Sequence, residues 1–199
     1  MSDQPVDSSR RTWIAITAGA GAVGAAAVAV PFVSTFQPSE RARAAGAAVE
    51  VDISTLRPGE MMTVEWRGKP VWIVRRTPEQ LAALEKTASQ LADPDSKRTP
   101  ELLTPAYARN PHRSIKPEVL VAVGICSHLG CSPSSRFQPG AQPSLPDDWQ
   151  GGFFCPCHGS TFDMAGRVFA NKPAPDNLEV PPHMYMSDTM ILVGEDTKA

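Results

Sequence analysis

The chain has 199 residues, a formal net charge of −2 and an apolar fraction of 42%, which suits one folded domain with an appendage. The nearly balanced charge offers no basic surface for nucleic acid. Four cysteines are too few for a disulfide scaffold at this length, and twenty prolines with fourteen glycines favour loops and short strands over long helices.

Trp13 to Val33 carries no charge and reaches the roughly 20 residues that a bilayer span requires. Trp13 and Phe32 stand near its ends, where aromatic rings favour the membrane interface. This predicts a tail over 1–12 and a transmembrane helix over 13–33. A cleaved signal peptide is the alternative, with a shorter apolar region and a small-residue cleavage site. Ser9-Arg10-Arg11-Thr12-Trp13 resembles a twin-arginine export signal; the alternative is a basic flank on an ordinary helix. Arg10 and Arg11 before the helix balance Arg41 and Arg43 after it, so counting positive charges sets no orientation.

Gly19-Ala20-Gly21-Ala22-Val23-Gly24 matches the dinucleotide-binding pattern, with Glu40 downstream. That fingerprint needs a strand, a tight turn and a helix within a βαβ unit. Here the apolar run continues through the glycines and no second βαβ unit follows. Small residues four apart, Ala20/Gly24 and Gly21/Ala25, suit close packing against another membrane helix instead.

Residues 34–48 read as a linker, with Pro38, mixed charges and the run Ala44-Ala45-Gly46-Ala47-Ala48. Fully extended, such a segment reaches about 50 Å, as a hinge or as a passive spacer. Residues 49–199 then form the folded domain. Val49–Ile53, Met61–Trp66 and Val71–Arg75 are short runs bounded by turn residues, which predicts strands. Pro78 to Leu91 reads as a helix, with Leu81, Leu84, Ala88 and Leu91 on one face. Asp93 to Pro117 is proline-rich loop. Val119–Ile125 is a continuous apolar strand leading to Cys126.

Two stretches hold every cysteine and two of the four histidines: Cys126-Ser127-His128-Leu129-Gly130-Cys131 and Cys155-Pro156-Cys157-His158-Gly159-Ser160. Each contributes a Cys/His pair at close spacing and one further cysteine. Thiolates with imidazoles select iron–sulfur clusters, zinc or copper over hard cations. A four-ligand zinc site would leave two of the six candidates over. A [2Fe–2S] cluster with two Cys on one iron and two His on the other also uses four, and the remaining cysteines can bridge. Ser132 to Gly151, between the stretches, is polar and proline-rich without periodicity. Short strands are expected at Thr161–Asp163 and Arg167–Phe169, then Asn177–Val180, Met184–Met186 and Thr189–Val193. His112 and His183 read as ordinary loop residues.

The two stretches resemble the cluster-binding loops of Rieske iron–sulfur proteins, in the form found in quinol–cytochrome c reductase subunits. The resemblance implies an all-β fold: a Rieske-type antiparallel β-sandwich with an inserted cluster-binding subdomain at about 126–175, preceded by the transmembrane helix and a flexible hinge. It implies one [2Fe–2S] cluster, with Cys126 and Cys155 on the inner iron and His128 and His158 on the outer. It further implies a Cys131–Cys157 disulfide, these two residues holding equivalent places in the loops. Ser160 corresponds to a hydroxyl donor toward the cluster. Leu129 lies beside the outward-facing histidines, which would hydrogen-bond quinol and take its proton. Phe162 falls where many relatives carry a tyrosine. Asn171-Lys172-Pro173-Ala174-Pro175 resembles the loop that covers the cluster, with Lys172 in place of the usual glycine.

The implied activity is electron transfer from ubiquinol to a c-type cytochrome, beside cytochrome b and cytochrome c1 type subunits in a dimeric complex. The implied location is a bacterial inner membrane, with a cytoplasmic N-terminus and a periplasmic head. A disulfide suits that oxidising compartment, and a domain loaded with its cluster in the cytoplasm must cross already folded. A soluble Rieske ferredoxin or oxygenase component and a structural zinc module are the alternatives. The former normally lacks both the extra cysteines and the anchor.

Overall fold

The computed structural model describes residues 8–98 and 103–196, except for the side chains of Arg41 and Ala45. Most of the tail expected over 1–12, and part of the proline-rich loop, therefore lie outside the described residues. The chain divides into two compact units, the boundary falling between Ala44 and Ala45.

The N-terminal unit is dominated by helix α1, Ser8–Ser34, which buries none of its side chains against protein. It is long and apolar enough to cross a membrane, and it begins five residues before the expected span. Its threonine hydroxyls are satisfied internally: Thr12 Oγ1 donates to Ser8 O and Thr17 Oγ1 to Trp13 O, at 2.9 and 2.8 Å. Hydrocarbon offers no partners for such groups. The glycines of the dinucleotide-like pattern lie inside this continuous helix, and a Cβ on any of them would meet nothing within 4 Å. A short helix α2, Glu40–Ala45, interrupts the linker.

Among the described residues, the second unit holds three antiparallel three-stranded sheets. Strand β1 (Val49–Asp52) pairs with β9 (Met190–Val193), which also pairs with β8 (His183–Tyr185). Strands β2 (Met61–Trp66), β3 (Lys69–Arg75) and β4 (Val119–Val123) form the middle sheet. The third sheet orders β5 (Ser134–Arg136), β6 (Gly152–Cys155) and β7 (Ser160–Phe162).

Alternation explains why β4 and the centre of β3, residues 71–74, are apolar throughout. Side chains two apart share a face of a strand. Val71, Ile73, Val119, Val121 and Val123 pack into one core with Val51, Ile191 and Val193. The intervening Trp72, Val74, Leu120 and Ala122 pack into a second core with Cys126, Cys155, Phe153 and Phe162. β4 and the centre of β3 are thus buried on both faces, and Trp72 stacks on Phe153 at 4.9 Å between ring centroids. Strand β4 ends at Val123, two residues short of the expected Ile125, and Gly124-Ile125 hand the chain to Cys126.

Helix α3 spans Pro78–Thr87 and continues as a 3₁₀ turn at Ala88–Gln90, so the expected helix over 78–91 is divided. Thr77 and Gln80 form a reciprocal capping box at its start. Ser132–Gly151, which shows no periodicity in the sequence, contributes β5, and its Phe137 packs edge-to-face on Phe153. The expected strand at Arg167–Phe169 reduces to two isolated bridges, Val168 with Phe162 and Phe169 with Leu91, and residues 177–180 form no strand. The turn Asp163–Gly166 is closed by backbone bonds, Asp163 N–H to Arg167 O and Gly166 N–H to Asp163 O, each at 2.9 Å, and its carbonyls are held by buried side chains. Arg76 donates to Met164 O, Arg113 to Ala165 O and Gly166 O, and Arg167 pairs with the Asp163 carboxylate at 2.7 Å. Burial lowers the Arg76 and Arg113 pKa values to about 10, so both remain cationic at neutral pH. Asn177 likewise spends its amide on Asp93 O, Ser96 Oγ and the Val168 N–H.

His183 is a second correction. It opens β8 and is buried, with Nδ1 2.9 Å from Pro181 O and its ring edge-on to Tyr107. Paired β-strands and aromatic packing hold it, not a loop.

Candidate metal centre

The two Cys/His stretches become matching loops because each follows the same backbone path. The Gly130 N–H donates to Cys126 O at 3.1 Å, and the Gly159 N–H donates to Cys155 O at 2.9 Å. Both glycines have left-handed φ, +81° and +76°, a conformation that costs glycine little. Cys126 N–H closes its loop on Cys131 O at 2.8 Å, as Cys155 pairs with Ser160 across β6 and β7. Aligned on these closures, Cys157 stands opposite His128 and Cys131 opposite Ser160. The expected equivalence of Cys131 and Cys157 therefore does not hold in the backbone. They still bond, with Cα atoms 6.7 Å apart, because the loops face each other.

At the loop tips the His128 and His158 rings meet edge-to-face, with centroids 4.7 Å apart. His158 is exposed and Leu129 beside His128 is 71% exposed. Beneath them Cys126 and Cys155 are free thiols, each only 2% exposed. Burial pushes the Cys126 thiol pKa up, and the neighbouring Cys155 adds to the effect. Ser160 is fully buried next to Cys126, and its Oγ accepts from Ala174 N–H at 3.0 Å. That leaves the hydroxyl proton free to donate toward sulfur.

Two buried thiols without a disulfide partner fit a soft metal centre. A second observation agrees: His128 Nδ1 is buried and has no hydrogen-bond partner, a costly state for a polar atom unless it ligates. Two thiolates and two imidazoles are the donor set of a [2Fe–2S] cluster with mixed ligation. The sulfurs of Cys131, Cys155 and Cys157 also lie within 4.8 Å of one another. Two of those three are consumed by the disulfide, so this trio is not the ligand set.

Two serines tie the loops to the segment Asn171–Pro175 and its end, a feature that sequence reasoning missed. Ser127 Oγ donates to Asp176 O at 2.6 Å and accepts from Asp176 N–H at 3.3 Å. Ser160 Oγ holds Ala174 as described. No local periodicity marks a contact across 49 residues. His112 and His183 are not drawn into this constellation. A separate cavity of about 430 Å³, bordered by Trp149, Phe169 and Lys172, contains none of the Cys or His candidates.

Comparison with known proteins places this constellation. Residues 107–182 match the family described as "Rieske [2Fe-2S] domain", so the chain carries a Rieske domain whose cofactor is one [2Fe–2S] cluster. Residues 1–39 match "Ubiquitinol-cytochrome C reductase Fe-S subunit TAT signal". The ubiquinol–cytochrome c reductase iron–sulfur subunit of Allochromatium vinosum is 57% identical over 197 residues, covering 98% of this chain and 93% of that protein. Its counterpart in Bradyrhizobium diazoefficiens is 39% identical, covering 94% of each. A chain of a solved "Hyperthermophilic respiratory Complex III" is 27% identical with a TM-score of 0.45, covering 89% of this chain and 98% of that one. This chain belongs to the family of ubiquinol–cytochrome c reductase iron–sulfur subunits.

Proposed function

We propose that the chain is the membrane-anchored electron-transfer subunit of a bacterial quinol–cytochrome c reductase, acting beside cytochrome b and cytochrome c1 type subunits in a dimeric complex. The observation that carries the reading is the pairing of two buried free thiols with two imidazoles on loops of matching backbone path. Cys126 and Cys155 hold the inner iron and His128 and His158 the outer one. The bound cluster supplies a one-electron acceptor at about −150 to +300 mV, against roughly −400 mV for all-cysteine plant-type clusters, which matches oxidation of ubiquinol.

The protein groups do the rest. The exposed imidazole of His158, with that of His128 beside it, accepts a hydrogen bond and then a proton from a quinol hydroxyl. Leu129 lines the same tip and keeps water from the contact. The Cys131–Cys157 bond clamps the loops; closing such a loop contributes about 2–4 kcal/mol. Ser160 donates toward the sulfur side and favours the more negative, reduced state. Helix α1 spans the inner membrane with the N-terminus cytoplasmic, and the domain from residue 49 faces the periplasm. The twin-arginine signal and the disulfide support that orientation.

The test is replacement of each proposed ligand in the full chain: Cys126→Ser, Cys155→Ser, His128→Ala and His158→Ala. Each variant should lose bound iron, acid-labile sulfide and the EPR signal of the reduced cluster. A variant that retains two irons and an unaltered signal removes that residue from the ligand set. Zinc in place of iron, in a colourless chain, would overturn the reading as a whole.

A further inference from the structure

The trio of sulfurs described above has a chemical consequence. The Cys155 sulfur is a free thiol within 4.8 Å of both sulfurs of the Cys131–Cys157 disulfide. We propose that, when Cys155 is not held by iron, it exchanges with this disulfide and forms Cys131–Cys155, so that loss of the cluster is locked in by the protein's own sulfur chemistry. Exchange proceeds by attack of a thiolate on a disulfide sulfur, and its rate depends on access and on which sulfur is attacked.

The two possible targets are not equal. Cys155 and Cys157 are separated only by Pro156, whose ring fixes φ, so a bond between them must close a small, stiff ring. Attack on the Cys131 sulfur needs no such ring and expels Cys157, which is exposed to solvent. One sulfur–sulfur bond breaks, Cys131–Cys157, and one forms, Cys131–Cys155. The proton of Cys155 passes to solvent, and the departing Cys157 sulfur takes one up. No electrons are gained or lost, so no oxidant is required.

The product has lost a cluster ligand. Cys155 is tied up, and the free Cys157, two residues along the loop and matching His128 rather than Cys126, does not take the place of the lost thiolate. The order of assembly follows: iron must occupy Cys155 before the bridge forms. A bridge made first, or a cluster lost later, leads to a chain that cannot reload without a reductant. The protective part of the inference rests on the reading of Cys155 as a ligand; the exchange itself rests only on the sulfur positions.

The experiment uses the full chain in detergent, loaded or stripped of iron anaerobically by a chelator without reductant. Both samples are trapped with N-ethylmaleimide and digested, and their linkages are mapped by mass spectrometry alongside iron and sulfide content. In the stripped chain the Cys131–Cys157 linkage should be lost as Cys131–Cys155 and labelled Cys157 are gained. The loaded chain should show Cys131–Cys157 alone. Persistence of only the native linkage in the stripped chain overturns the proposal. So does a mixture rich in Cys126 bridges, which would report unfolding rather than directed exchange. Exchange in an iron-replete chain would refute Cys155 as a ligand while leaving the exchange standing. A stripped Cys155→Ser chain should keep the native linkage, and new linkages there would overturn the role of Cys155.

Discussion

Phe162 shows how one side chain sets the character of the site. It lies two residues after Ser160 on β7, and residues two apart point to the same face of a strand. Ser160 sits beside Cys126, and the fully buried Phe162 shares a core with Cys126 and Cys155. A phenyl ring there fills space but offers no proton to sulfur. In the Phe162→Tyr variant a hydroxyl would be directed toward the same sulfurs and stabilise the more negative, reduced cluster. A hydrogen bond to a charged group contributes about 1.5 kcal/mol, which for one electron corresponds to a rise of roughly 60 mV. Redox titration of the purified chain checks this. An unchanged or lower midpoint would show that the ring is not directed at the cluster sulfurs.

At the scale of elements, the first helix and the strands obey different solvents. Helix α1 carries its threonine hydroxyls on its own carbonyls and presents Trp13, Ile14, Val23, Val28 and Phe32 outward, as suits lipid. Arg10 and Arg11 lie within its first turn, inside the segment that matches the export-signal family. Replacing both with Lys keeps the charge but removes the guanidinium pair that defines the signal. The double variant should load its cluster and remain in the cytoplasm. Protease digestion of spheroplasts measures this, and full digestion of the variant head from outside would rule out the twin-arginine route. The strands, by contrast, are apolar where two cores meet. β4 and the centre of β3 bury both faces, whereas β2, at the edge of its sheet, leaves Thr63 and Glu65 exposed.

At the scale of the whole domain, buried polar groups connect distant segments. Arg113 alone reaches Thr104, Ala165, Gly166 and Leu178. His183 is likewise buried, and it carries a pH dependence. Burial lowers its pKa below the ordinary 6.5, opposed by Pro181 O and Asp196. In the unfolded chain the same ring takes up a proton as pH falls through 6.5, while the folded chain resists. Its contribution to stability is therefore complete above about pH 6.5 and lost as pH falls toward the folded value. His112, lowered by burial and by Arg76 and Arg167, acts in the same direction. Thermal unfolding of the loaded chain between pH 8 and 5 should show the midpoint falling below pH 6.5. His183→Phe should flatten that fall, at most by the one proton's worth of about 1.4 kcal/mol per pH unit. An equal pH dependence in the variant would remove His183 from the account.

Local chemistry made the essential parts readable in the sequence. Cys126, His128, Cys155 and His158 lie within two six-residue stretches, so donor type and spacing are visible without a fold. The same is true of α1, whose solvent preference is written in consecutive residues, and of β1 to β3, marked by short apolar runs between turns. Other features needed the folded chain. Ser134–Arg136 and Gly152–Cys155 are short strands that exist because they pair with each other across the chain. The carbonyls of turn 163–166 are bound by Arg76 and Arg113, far away in sequence. The placing of Cys157 opposite His128, and of the Cys155 sulfur against the disulfide, likewise depends on how two loops face each other. Periodicity and spacing report on neighbours along the chain. Hydrogen bonds and sulfur contacts between residues tens of positions apart are decided by where the backbone travels, and only the tertiary structure holds that information.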